Sequence, residues 1–179
     1  MLNILRAAGL AVLFATAPAF AQEETLRPEI PADAEIRDVI AKAVDGFIRP
    51  GYRDFHAAAG ALAGEMDAFC AAPSPDALAQ AKAAFAEAAL SWARVEIVRT
   101  GPAIEDNRFE RILFYPDRKS TGLKQVQALL AKPDDSTTAP GGLSGKSVAM
   151  QGFGALEFVL AGTGSEALAT EADGFRCRY

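Results

Sequence analysis

One carboxylate stands out for its surroundings. Glu157 lies in the run Met150-Gln151-Gly152-Phe153-Gly154-Ala155-Leu156-Glu157-Phe158-Val159-Leu160, and across residues 148–161 only Gln151 and Glu157 are strongly polar. A helix of that composition is expected to be covered by protein on most sides. An ionised carboxylate left alone there is costly, so Glu157 must pair with a cation, take up a proton or coordinate a metal. Arg99 is a candidate partner, and both the salt bridge and the metal-linked role stay open. Glu96 poses a similar question, four residues after Trp92 and three before Arg99, where an apolar helix face turns polar as it nears Gly101-Pro102. It either forms an ordinary surface pair with Arg99, worth a few tenths of a kcal/mol, or walls a site.

Other chemistries are excluded by the residues present. His56 is the only histidine, so a site needing two or three imidazoles cannot be built, and the arrangement His-Glu-x-x-His is absent. Its place on a helix after Phe55 is that of a half-buried surface residue. A metal held by this chain alone would take carboxylate, carbonyl and water oxygens, which suits ferric iron or calcium better than zinc. The stretch Pro140-Gly141-Gly142-Leu143-Ser144-Gly145-Lys146-Ser147 imitates a phosphate-binding loop, but Pro140 occupies the place of its first glycine and no strand precedes it. With one histidine and no Gly-x-Ser-x-Gly elbow, nucleophilic hydrolysis has no machinery.

The elements that position these residues read as helices throughout. From Asp33, the spacing of Ile36, Val39, Ile40, Val44, Phe47 and Ile48 predicts a helix with an apolar stripe that Pro50-Gly51 ends. A second helix is predicted over 52–70, with Phe55, Ala58, Ala59, Leu62, Met66 and Phe69 on one stripe. Ser74 and Pro75 suit the cap and first position of a third helix, whose stripe of Leu78, Ala81, Phe85, Ala88, Trp92 and Val95 runs on to Gly101-Pro102. A short turn over 106–113, an amphipathic helix over 121–131, a long loop over 132–145, a helix over 144–161 and a last one over 166–179 complete the pattern. No convincing strand alternation appears, so the class is all-α with bundle packing.

Composition sets the compartment. Residues 1–21 carry Arg6, an apolar run and Ala19-Phe20-Ala21, the pattern of a secretory signal peptide. The apolar run is short for a bilayer core of ~30 Å, so no stable membrane span is expected after cleavage. Residues 22–32 read as a flexible linker, and 33–179 as one domain. Losing Arg6 takes the formal net charge from −5 to −6 with both signs interspersed, which argues against nucleic acid and anionic membranes as partners. The two cysteines, Cys70 and Cys177, both lie in the exported part. A bridge between them would close a loop of about 100 residues and contribute roughly 4–5 kcal/mol in the chain-entropy model; the alternative is two buried thiols.

Three segments carry a family resemblance: Trp92 with Glu96, Arg99 and Gly101-Pro102; Asp106-Asn107 with Phe114-Tyr115-Pro116-Asp117; and residues 152–162. Together they resemble the imelysin family of exported, iron-associated helical proteins, whose hallmark is Gly-x-His-x-x-Glu. Gly152 and Glu157 match that motif, and Gly154 stands where its histidine would be. The resemblance implies a periplasmic or cell-envelope protein linked to iron uptake, with iron-transport components as partners and iron or another divalent or trivalent metal as ligand. It implies a site holding metal through Glu157 and Glu96, lined by Gly152, Gly154 and Arg99, and degenerate for want of the histidine. Members are commonly about twice this length with two helical halves, so the chain is expected to be the front half of such a protein. The alternatives are the family's metallopeptidase activity, with Glu157 as base or ligand, and a structural or partner-binding helical module.

Overall fold

The computed structural model describes residues 30–170 and 174–179. Among these there is no strand, and the fold is an all-α bundle. The expected signal peptide and most of the expected linker lie outside the described residues.

Helix α1 (Asp33–Ala43) runs through a π-helical turn (Val44–Ile48) into α2 (Arg49–Ala71) without a break. The expected stop at Pro50-Gly51 does not occur. Proline lacks an N–H and its ring presses on the carbonyl one turn earlier. Here the turn before it is widened, with the Arg49 N–H reaching back to the Val44 carbonyl, so the strain is absorbed rather than ending the helix. The predicted stripe of α1 is also not buried. Ile36, Val39, Ile40 and Phe47 are 41, 65, 56 and 47% exposed, and no residue of α1 is buried.

Helix α3 (Pro75–Val95) packs antiparallel to α2 as the central hairpin. Ser74 caps it, its Oγ accepting the Ala77 N–H at 3.1 Å, with Pro75 at the first position. The helix stops at Val95, short of the predicted Gly101, where the chain turns and the Tyr52 hydroxyl donates to the Val98 carbonyl at 3.1 Å. A short α4 (Arg108–Ile112) follows the left-handed pair Asp106 and Asn107. Helix α5 (Thr121–Ala131) has its predicted bounds.

The predicted loop is drawn into 3-10 turns at Asp135–Thr137 and Gly142–Gly145, and the first part of the predicted helix over 144–161 is a further 3-10 turn at Val148–Met150. Asp134 ties its ends together: hydrogen bonds from Ser136 and Lys146 hold its carboxyl at a pKa of about 2, well below the usual range. Helix α6 is only Gly152–Ala161, because Gly152 has φ +66° and no right-handed helix continues through such a residue. The predicted last helix is a 3-10 turn (Ser165–Ala169) and a separate α7 (Gly174–Arg178).

Two clusters form the core, one of Leu62, Ala88, Trp92, Val95, Phe109 and Phe153, the other of Phe69, Leu78, Ala81, Val159, Leu160 and Leu168. Helix α6 contributes to both, so its orientation is fixed from two sides. Trp92 anchors the first, with ring centroids 5.1 Å from Phe55 and 5.0 Å from Phe109. Cys70 at the end of α2 is bridged to Cys177 in α7, with Cα atoms 5.7 Å apart. No described helix is long and apolar enough to cross a membrane.

Candidate functional site

Helix α6 enters the bundle through one glycine. A Cβ on Gly152 would lie 2.2 Å from the carbonyl oxygens of both Arg111 and Ile112, so only a residue without a side chain lets α6 start against the end of α4. The preceding Gln151 secures the entry from the other side. Its amide donates to the carbonyls of Leu143, Lys146 and Ser147 at 2.8, 3.1 and 3.1 Å, and its Oε1 accepts from the Arg111 guanidinium at 3.3 Å. Arg111 also donates to the carbonyls of Ser144 and Asp106. Gln151 and Arg111 thus join the long loop to α4 and α6. Gln151 was visible in the sequence as the second polar residue of an apolar run, whereas nothing marked Arg111.

The face of α6 bearing Gly154, Glu157 and Ala161 is not covered by protein. All three are exposed, at the i, i+3, i+7 spacing of one helical face. They line a groove of ≈ 430 Å³ whose other walls include Leu113, Phe114, Tyr115 and Leu123. The expectation that Glu157 is buried and partnered is therefore corrected. It makes no hydrogen bond or ion pair among the described residues, and its carboxylate is solvated at the groove. Small residues explain the difference: Gly154 and Ala161 count as apolar in a composition but present almost no surface that needs burial. No atom lies within 4 Å of a Cβ built on Gly154, so there is an open bay beside the carboxylate.

The other candidates are not gathered there. The Arg99 guanidinium sits 4.1 Å over the Phe109 ring, a cation–π contact rather than a bridge to Glu157 or Glu96. Glu96 is half-buried at the end of α3, and neither it nor Arg99 lines the groove. Of the expected set, the structure brings together Gly154 and Glu157, with Gly152 at the entry of the same helix.

A second carboxylate lines the groove but is already engaged. Asp117 accepts the N–H groups of Thr121, Gly122 and Leu123 at 2.6, 2.9 and 3.4 Å, closing the amino end of α5 and meeting its positive dipole. Gly122 also lets the Val148–Met150 turn lie against α5, since a Cβ there would lie 2.3 Å from the Ala149 carbonyl oxygen. Asp117→Ala is expected to cost about 1–2 kcal/mol, read as a lower denaturation midpoint, with Asp117→Asn recovering part of it.

A family model described as imelysin, of the M75 peptidase group, matches residues 48–179. The chain belongs to the imelysin family. No curated protein and no solved structure matches it. The imelysin match takes in the hairpin, the groove and the disulfide, and begins within the π-turn, so that α1 precedes it. The metal that imelysin membership implies can be tested against the donor atoms present. Among the described residues, no three His, Cys, Asp or Glu side chains are grouped to hold an ion. The groove offers one uncommitted carboxylate, which does not make a resident metal centre.

Proposed function

We propose that the chain is an exported accessory binding protein of iron uptake in the cell envelope. Its binding site is the groove at Gly154 and Glu157, degenerate in lacking the imidazole of the Gly-x-His-x-x-Glu motif. The observation that carries this reading is the pairing of a solvated carboxylate with an open bay one helical turn away, at the motif's own spacing. Glu157 alone supplies oxygen ligands suited to iron, so binding of the bare ion is weak and the apolar walls favour a ligand that brings part of its own coordination. The signal peptide expected in residues 1–21 and the family's envelope setting supply the location.

The test is thermal unfolding with and without ferrous iron under nitrogen. A ligand present at ten times its Kd stabilises the folded state by about 1.4 kcal/mol, or roughly 3 °C for a chain of this size. The shift is expected in the wild type at millimolar iron and lost in Glu157→Gln. A shift that survives that substitution places the iron elsewhere. The metallopeptidase alternative requires several ligands and an activated water, for which the groove has too few donors. Chelator-sensitive peptide cleavage abolished by Glu157→Gln would reinstate it.

A further inference from the structure

Whatever sits beside Glu157 meets uncompensated negative charge and no positive side chain. The Glu157 carboxylate has no ion pair or hydrogen bond among the described residues and opens onto the groove. Helix α6 also ends there, with Phe158, Ala161 and Gly162 among the lining residues. The carbonyls of a helix's last turn carry a partial negative charge, and no basic residue in that turn of α6 offsets it. Asp117, the other carboxylate of the groove, is balanced by the N–H groups at the amino end of α5. Among the described residues that line the groove there is no lysine, arginine or histidine. The nearby Lys124 directs its ammonium to the Lys119 carbonyl, at 3.2 Å.

The walls around this carboxylate are apolar and partly aromatic. The Phe158 ring rests on Gly162, where a Cβ would lie 2.6 and 2.8 Å from two of its carbons, so the glycine lets the ring lie flat against the end of α6. Tyr115 lines the same groove and is 77% exposed. Aromatic faces attract cations, and the cation–π contact of Arg99 with Phe109 is made away from this groove. We infer that the groove takes an organic cation, a small molecule with a primary ammonium group on an apolar body. The ammonium pairs with Glu157 at the carboxyl end of α6, and the body lies against Leu123, Tyr115 and Phe158. An anion of the same shape meets repulsion from both sources of negative charge, and a neutral molecule gains only the apolar contact. The volume of ≈ 430 Å³ is that of a small-molecule site. The inference rests on the reading of this groove as the binding site, and adds that the charge of the ligand decides what enters.

The experiment is equilibrium dialysis of the full chain, at neutral pH and low salt, against three probes that share one apolar body: phenylbutylamine, phenylbutanol and phenylbutyrate. The expected result is that the amine binds about fivefold tighter than the alcohol, the combined effect of a solvated ion pair and an exposed ring face, and that the acid binds more weakly than either. Glu157→Gln should bring the amine to the level of the alcohol and leave the alcohol unchanged. Circular dichroism verifies that this variant, changed at an exposed position without partners, remains folded. Added salt should weaken the amine alone. An amine that binds no tighter than the alcohol overturns the inference, as does the absence of binding by all three. A preference for the amine that persists in Glu157→Gln overturns it too, since the cation then sits elsewhere. The iron melting test reads separately: an iron shift without a preference for the amine defeats this inference alone, and a preference for the amine without an iron shift defeats the iron reading alone.

Discussion

Gly152→Ala is expected to destabilise the protein by about 3–5 kcal/mol, at the severe end for a single substitution. Two costs add. The backbone at φ +66° is a conformation that a side chain penalises by roughly 1–2 kcal/mol. The new methyl would also lie 2.2 Å from the carbonyl oxygens of Arg111 and Ile112, which belong to helix backbone and cannot swing aside. Relief requires α6 to withdraw from α4, opening the core around Phe109 and Phe153 and tilting the face that carries Glu157. The control is two residues away. Gly154→Ala meets no atom within 4 Å in ordinary helical backbone, and should be neutral or stabilising by about 0.5–1 kcal/mol. Chemical denaturation of the two variants reads the contrast directly, and equal midpoints would refute the packing account of α6.

The second large effect is expected from Cys70→Ser with Cys177→Ser. The bridge spans a sequence separation of 107, so the chain-entropy model assigns it roughly 4–5 kcal/mol, and native bridges of small secreted domains contribute about 2–5 kcal/mol. The local structure depends on it as well. Helix α7 has five residues, far too few to persist alone, and it is held by Cys177, by Phe175 in the core, and by the Tyr179 hydroxyl donating to the Met150 carbonyl. Burial pushes the Tyr179 phenol pKa up to about 12. Guanidinium unfolding of the oxidised and reduced wild type, beside the double serine variant, should show the reduced protein and the variant alike and both well below the oxidised form. A difference under about 1 kcal/mol would mean that α7 is held without the bridge.

What the sequence made legible follows the range of the signal. The Ser74-Pro75 start of α3 and the bounds of α5 rest on capping residues and apolar periodicity within a few positions, and both agree with the structure. The Cys70–Cys177 bridge needed no geometry, because neither cysteine has a competitor. Expectations failed where a distant contact decides the outcome. Pro50 reads locally as a stop, but the widened turn before it lets the rod continue. The stripe of α1 was legible as a stripe, yet periodicity says that a face is apolar and not what covers it. Glu157 was judged by the composition of its whole helix, although its own face is shared with Gly154 and Ala161. The start of α6 depends on carbonyls of α4 some forty positions earlier, and Asp117 caps α5 from before the usual cap position, so neither has a local motif. Within the candidate site, Gly152, Gly154 and Glu157 stand out through the resemblance to the imelysin motif, and the structure sets Glu96 and Arg99 outside the groove that Gly154 and Glu157 line.

The most direct test of the degenerate-site account is an anaerobic ferrous iron titration of Gly154→His beside the wild type, with circular dichroism verifying the fold. The bay beside Glu157 is open to a side chain, and residues three apart share a helical face, so the new imidazole should join the carboxylate. The account predicts at least a tenfold gain in affinity, about 1.4 kcal/mol, that Glu157→Gln removes. A folded Gly154→His variant that binds iron no better than the wild type would contradict it.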